Sequence, residues 1–142
     1  MLKNKLAIAI VTMCLLLGTV PFALGATTTS SNQVYISALY VGAPHQTVNQ
    51  EYVKITNKGT TAVKMTGWKI TDKRALHTYK FPSSYILKSK TTVTLYTGKG
   101  TKTATKLFWG RSAYVWNNEG DKANLYNSLG KLVSTKVGLK QK

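Results

Sequence analysis

The segment LFWGRSAYVWNNEGD, residues 107–121, combines large aromatic rings, an arginine and a close pair of carboxylates. Its rings are suited to stacking on the bases of a single-stranded nucleic acid, and its arginine to contacting phosphate. The alternative is that alternate rings fill the core of a small domain, which must bury its large apolar side chains. We favour core packing and expect Trp68 and Trp116 to be buried. The residues of the segment concerned are Phe108, Trp109, Arg111, Tyr114 and Trp116.

The end of this segment, NNEGD (117–121), places oxygen-bearing side chains around a glycine, as a calcium loop does. A full calcium loop supplies more ligands over about twelve residues and ends in a bidentate glutamate. Two carboxylates in basic surroundings suit a cation poorly. The segment is therefore interpreted as a turn, with Gly120 in the left-handed region and asparagine side chains bonding the local backbone. No metal or other cofactor is expected.

Residues suited to hydrolytic catalysis are sparse. The histidines are His45 and His77, and no G-x-S-x-G pattern marks a nucleophile. Glycosidase chemistry needs two carboxylates across a cleft, one with a raised pKa, whereas neighbouring lysines lower carboxylate pKa values. The sequence thus predicts a protein that is not an enzyme and has no small-molecule substrate. A secreted enzyme is the third alternative, and its candidate residues would be His45, His77, Glu51, Asp72, Glu119 and Asp121.

Basic residues dominate the chain, with 20 Lys and Arg against 4 Asp and Glu and a net charge of +16. An ordinary soluble surface mixes both signs, so this bias indicates a polyanionic partner such as a cell-wall polymer or nucleic acid. Most of the cations are lysines, which favours diffuse, salt-sensitive attraction over sequence reading. The alternative is that the charge serves only solubility and general adhesion. The candidate binding residues are Lys54, Lys69, Lys73, Arg74, Lys80, Lys88, Lys90, Lys99, Lys102, Lys106 and Arg111.

The N-terminus has the order of a secretory signal peptide. MLKNK is followed by an apolar run from Leu6 to Leu17, then by Pro21 and small residues, which predicts cleavage after Gly25. The alternative is an uncleaved membrane anchor, since the apolar segment approaches the length that spans a bilayer. Residues 1–25 are thus the predicted signal, residues 26–33 (ATTTSSNQ) a polar linker, and the protein is expected to be secreted or at the cell surface.

Short runs of β-branched and aromatic residues, separated by turn formers, continue from residue 33 onward. In EYVKITN, alternation places Val53 and Ile55 on one face and Lys54 on the other. The same alternation directs Lys69 and Lys80 away from the core. The pattern predicts an all-β, immunoglobulin-like β-sandwich of seven or eight short strands over residues 34–138. Strands are predicted at 33–41, 51–57, 63–72, 77–82 and 91–98, with a hairpin at 122–135.

The ordered motifs EYVKITNKG, GWKITD, YKFP, VTLYTGKG, LFWG and VWNNEGD resemble those of the lamin tail domain, from about Val34 to Val137. This resemblance implies an immunoglobulin-like sandwich used for interaction or attachment. In lamins such domains engage chromatin, DNA and other proteins, and prokaryotic relatives occur in exported proteins. The family has no catalytic set to transfer. The matched residues are expected to be structural: Asn57, Gly67, Trp68, Phe81, Pro82, Trp116, Gly120 and Asp121.

Two functional hypotheses follow. The first is an exported module that attaches electrostatically to an anionic surface polymer or extracellular DNA. The second is an interaction or structural module that recognises another envelope protein through a sheet edge or a loop, with its charge incidental.

Overall fold

The computed structural model describes residues 33–42 and 46–139. The predicted signal peptide, most of the predicted linker and His45 lie outside these residues. Within them, no helix is long and apolar enough to cross a bilayer. The described part is almost entirely strand and turn, with one short 3-10 turn at Val48–Gln50. The strands are β1 Val34–Tyr40, β2 Tyr52–Asn57, β3 Val63–Lys64, β4 Lys69–Thr71, β5 Thr78–Lys80, β6 Ile86–Leu87, β7 Thr92–Tyr96, β8 Lys106–Phe108, β9 Asp121–Tyr126 and β10 Leu132–Gly138.

Two four-stranded sheets form the sandwich, in the orders β1-β2-β7-β8 and β10-β9-β4-β5. We call them the first and the second sheet. Alternation along the strands sends apolar side chains from both sheets into one core, where Val53, Ile55, Ile70 and Leu125 are fully buried. This is the predicted immunoglobulin-like sandwich. The alternation also fixes which side chains lie on the outer face of each sheet.

The described residues form ten strands where seven or eight were expected, because the segment 63–72 forms two strands and because β6 and β8 were not predicted. The segment predicted as one strand at 63–72 is interrupted, because Gly67 has a φ of 75° and Trp68 donates its backbone N–H to Met65 O in a turn. The resulting β3 pairs with β6 as a separate two-residue ladder. Strand β8 was also not predicted, and it pairs in parallel with β7. Such short strands carry too few residues to show a period.

The aromatic residues of segment 107–121 divide between core and surface. Trp116 and Trp68 are buried as expected, at 2% and 6% exposure, and Trp109 is partly buried with its ring 5.9 Å from that of Trp116. Phe108 lies on the outer face of β8 and Tyr114 is exposed, so only alternate rings of the segment pack into the core. Leu107 takes the inward position on β8, so strand alternation places its neighbour outside.

Several of the segments that connect the strands lie at one end of the sandwich. Strands β1, β4, β7 and β8 finish there, and β2 and β9 begin there. We call it the loop end. It carries the described segments 41–42, 46–51, 72–77, 97–100 and 109–120.

Candidate anion-binding surface

The carboxylates of the described domain are mostly buried and bonded to backbone. Glu51 is fully buried, and its side chain accepts hydrogen bonds from the backbone N–H groups of Val115 (3.0 Å) and Trp116 (3.2 Å). Burial raises the pKa of Glu51 to about 7, against the opposing effect of these hydrogen bonds. This carboxyl group therefore holds segment 109–120 against the start of β2.

Asp121 and Asp72 also accept hydrogen bonds from backbone N–H groups at the loop end. Asp121 accepts hydrogen bonds from the N–H groups of Lys73 (3.2 Å), Asn117 (3.0 Å) and Lys122 (2.7 Å). Its carboxylate thus closes the NNEGD turn, in which Gly120 has the expected positive φ of 119° and Asn117 Oδ1 accepts the Glu119 N–H. A calcium ion in this turn would need the carboxylates of Glu119 and Asp121 together. That of Asp121 already accepts hydrogen bonds from backbone N–H groups, so it is not available as a ligand.

The pair most like a catalytic dyad is Asp72 with His77, whose Oδ2 and Nδ1 atoms lie 3.0 Å apart. Asp72 Oδ1 also accepts the backbone N–H of His77, so the pair closes the β4–β5 turn on itself. The cavity beside it has a volume of about 520 Å³. Among the described residues that line this cavity there is no serine, threonine or cysteine to act as a nucleophile. The two groups are thus accounted for by turn geometry.

The cationic candidates are spread over the molecule and are exposed, with Lys69 half-buried. Lys54 and Lys106 lie on the outer face of the first sheet, and Lys69 and Lys80 on that of the second, as alternation predicted. Lys73, Arg74, Lys99 and Arg111 lie at the loop end. Lys88 and Lys90 follow β6, and Lys102 lies in the β7–β8 connection. The structure therefore distributes these residues over both faces and does not gather them into one pocket.

Some local groupings do form. On the first sheet, Lys54 and Lys106 both pair with Thr94, so they are two strands apart in one cross-strand row. At the loop end, Lys99 and Arg111 line a shallow cavity of about 460 Å³ together with Thr47, Asn49 and Ser112. By contrast, Lys90 is engaged locally, because its Nζ donates to Lys58 O at 2.6 Å.

On the second sheet, Lys69 and Lys80 are directly opposite each other on β4 and β5. Lys69 Nζ lies 5.2 Å from the centre of the Tyr126 ring, which partly compensates its charge. Like charges in directly opposed positions destabilise a sheet.

We therefore expect Lys80→Glu to raise the free energy of unfolding by roughly 0.5 kcal/mol at low salt. Urea denaturation at low and high salt measures the change, which salt should reduce. Lys88→Glu serves as the control, since Lys88 has no lysine opposed to it in the β3–β6 ladder. An equal gain from both substitutions would show that only net charge matters.

The residues expected to be structural hold turns or fill the core. Asn57 is fully buried and bonds to four backbone groups. Gly67 lies against Ser128 with a positive φ. Phe81 stacks near Tyr85, whose backbone N–H bonds to Pro82 O. Most of the candidate lysines are exposed, although Lys54 and Lys69 lie near tyrosine rings and Lys90 donates to Lys58 O.

One surface feature was missed at the sequence level. A row of aromatic side chains crosses the outer face of the first sheet: Tyr40, Tyr52, Tyr96 and Phe108. Alternation does place Tyr52 on the same side as Lys54. The alignment of all four rings depends on strand order and register, which no single strand carries.

Comparison with known proteins agrees with this architecture. The family model described as Lamin Tail Domain matches residues 27–140, well over half of the chain. Among curated proteins no match was found. The lamin tail domain is an immunoglobulin-like, non-enzymatic domain, typically a binding or structural module. The chain belongs to the lamin tail domain family.

Proposed function

We propose that this protein is an exported, non-enzymatic attachment module that binds an anionic polymer, either a cell-wall polymer or extracellular DNA, through its distributed lysines. Membership of a family of binding and structural modules supports the general role. Export is supported by the order of basic, apolar and small residues in positions 1–25.

The observation that carries the proposal is that most of the acidic side chains are buried whereas most of the basic ones are exposed. Glu51, Asp72 and Asp121 are buried at 0%, 5% and 8% exposure, where they bond backbone N–H groups. The candidate cations are almost all exposed. Since net charge alone does not say which sign reaches the solvent, this partition makes the surface more one-sided than the composition implies. Such a surface attracts polyanions over several ångströms and concentrates them near the protein.

The distribution of the cations also bears on how binding would work. Lysine is a flexible point charge and does not impose the bidentate geometry of arginine. Cations on two faces and at the loop end suit contact with a long polymer at several places. The expected binding is non-specific and is driven by the release of counterions.

A salt titration tests the proposal. With duplex DNA and poly-L-glutamate as probes, we expect affinity to fall by about 10³-fold or more between roughly 50 and 200 mM salt if six or more charges are neutralised. The double variants Lys54→Thr/Lys106→Thr and Lys69→Thr/Lys80→Thr should each reduce the salt slope by about two, because distributed contacts add. Affinity that stays constant with salt would overturn the mechanism.

A second candidate is an envelope module that binds another protein through a sheet edge or a loop. Exposed apolar side chains on and after β10 favour it, because Leu132 and Val137 are 46% and 57% exposed, and Leu139 beyond the strand is 71% exposed. Capture of one envelope protein that survives both high salt and nuclease, and that Val137→Lys abolishes, would favour this candidate over the first.

A further inference from the structure

The outer face of the first sheet carries a continuous row of rings. Tyr40 is paired with Tyr52, Tyr52 with Tyr96, and Tyr96 with Phe108, so one side chain from each of the four strands lies in the same register position. All four are half-buried. We call these four residues the aromatic row. Their inward neighbours Val53, Leu95 and Leu107 fill the core, which fixes the row on the outside.

The row consists of two stacked pairs. The rings of Tyr40 and Tyr52 are 5.4 Å apart and inclined by 14°, and those of Tyr96 and Phe108 are 5.3 Å apart and inclined by 20°. The pairs meet edge to face, with Tyr52 and Tyr96 inclined by 64°. Each pair spans one strand spacing, so the pair centres are roughly 10 Å apart, which is two spacings of about 4.8 Å.

Cationic groups lie on both sides of the row. Lys54 and Lys106 occupy the next outward row, two residues away along β2 and β8, with Lys54 Nζ 5.5 Å from the centre of the Tyr52 ring. Lys99 and Arg111 follow Tyr96 and Phe108 at the loop end, where they line one shallow cavity. The charged residues within β1, β2, β7 and β8 are lysines alone.

Sheet stability explains part of this arrangement, because cross-strand aromatic pairs stabilise antiparallel strands. It does not explain why the row continues onto the parallel strand β8 or why lysines flank it. The second sheet has the same number of strands, but the outward row that contains Tyr126, between Leu132 and Lys69, has only that one ring. The row is therefore a feature of the first sheet and not of the sandwich in general.

We propose that the aromatic row and its flanking cations bind an extended acidic polysaccharide with a disaccharide repeat. This inference rests on the proposed function and names the class of polymer. Sugar rings present apolar C–H groups, which pack against aromatic side chains that are apolar in body and polar at one end. Two ring pairs about 10 Å apart accommodate every second sugar of an extended chain. Lysines on either side then meet its acidic groups.

The same features fit a single-stranded nucleic acid less well. Proteins of that kind stack successive bases and often add arginine to the stacking surface. Here the outer face carries lysine and threonine around the rings, and the stacked pairs are separated by an edge-to-face contact. The hydroxyl group of Thr94, in the next outward row between Lys54 and Lys106, suits the hydroxyl-rich rim of a sugar.

The experiment compares matched probes and variants. The purified protein is titrated with a hyaluronan oligosaccharide, with poly-L-glutamate, which has charge but no sugar, and with oligothymidylate. The test variant is Tyr52→Thr/Tyr96→Thr, which removes both rings and introduces β-branched residues that suit a strand. The control is Tyr126→Thr, which removes a half-buried ring beside a lysine from the other sheet. Thermal unfolding checks that each variant is folded.

We expect the double variant to bind hyaluronan about tenfold more weakly or worse, while its affinity for poly-L-glutamate changes by less than about twofold and the control changes neither. Equal losses for both probes, or no loss for either, would overturn the inference and leave the proposed function intact. Loss of oligothymidylate binding alone would assign the face to nucleic acid. Should the wild-type protein bind none of the probes at low salt, the proposed function itself would fail.

A measurement on the wild-type protein covers the case in which the double variant does not fold. Added hyaluronan should shift the NMR signals of the ring protons of the aromatic row and leave those of Tyr126 unchanged. Shifts confined to lysine side chains would overturn the inference.

Discussion

Asn57→Ala is expected to lower the free energy of unfolding by about 3 kcal/mol. The Asn57 side chain is fully buried, and its Nδ2 group lies 2.8 Å from Thr61 O and 3.1 Å from both Leu87 O and Lys88 O. Its Oδ1 accepts the N–H of Gly59 at 3.0 Å. Truncation leaves several of these groups buried without a partner, and each such group costs about 1–3 kcal/mol. The loss is large because one side chain joins the β2–β3 turn to β6.

Asn127→Ala is the matched control. Asn127 uses the same side chain in a turn, where Oδ1 accepts the N–H groups of Leu129 and Lys131 at 3.0 Å, but these bonds are local and exposed. We expect this substitution to cost about 1 kcal/mol. Asn57→Asp should be at least as damaging as Asn57→Ala, because a carboxylate oxygen would replace the donor that faces three carbonyl groups. Urea unfolding of the variants measures the differences; similar losses for Asn57→Ala and Asn127→Ala would contradict the assigned role.

The two-sheet architecture could be predicted because alternation is a local property. Val53 and Ile55 against Lys54, and Ala123 and Leu125 in the predicted hairpin, show their faces within a few residues. The sequence analysis assigned no face to Phe108, and its place on the outer face of β8 follows from its position and not from its size. Leu107 fills the inward site. Because side chains alternate along a strand, Phe108 faces the same side as Lys106, which is exposed to solvent.

The proposed recognition surface depends on strand order and register, which single strands do not contain. That Tyr40, Tyr52, Tyr96 and Phe108 align requires the order β1-β2-β7-β8 and the register of each pair. The length of the connection between β7 and β8 does not by itself specify that the two strands pair in parallel. The burial of Glu51 is also a long-range effect, since its donors lie more than sixty positions away. Charge could be counted from the sequence, but its partition between core and surface could not.

The protein is expected to lose stability as pH rises from about 4.5 to about 7, through Glu51. Burial raises the pKa of this carboxyl group from 4.5 to about 7. Between these values the folded state holds a proton that the unfolded state has released, so unfolding becomes easier as pH rises. The contribution is fully present below pH 4.5 and is lost above pH 7. It amounts to about 3 kcal/mol, since each pKa unit corresponds to about 1.4 kcal/mol.

Glu51→Gln isolates this contribution, because the amide is neutral throughout and keeps one oxygen to accept a hydrogen bond from Val115 or Trp116. In the variant one of the two backbone N–H groups loses its acceptor, which lowers the free energy of unfolding by the same amount at every pH. The informative quantity is therefore the difference in pH dependence between the two proteins. Urea unfolding of both proteins from pH 4.5 to 8 should show wild-type stability declining relative to the variant, whereas Asn127→Ala, which leaves Glu51 in place and removes no titratable group, should run parallel to the wild type. Parallel curves for wild type and Glu51→Gln would show that the buried carboxyl group keeps an ordinary pKa, stabilised as an anion by the two N–H groups it accepts.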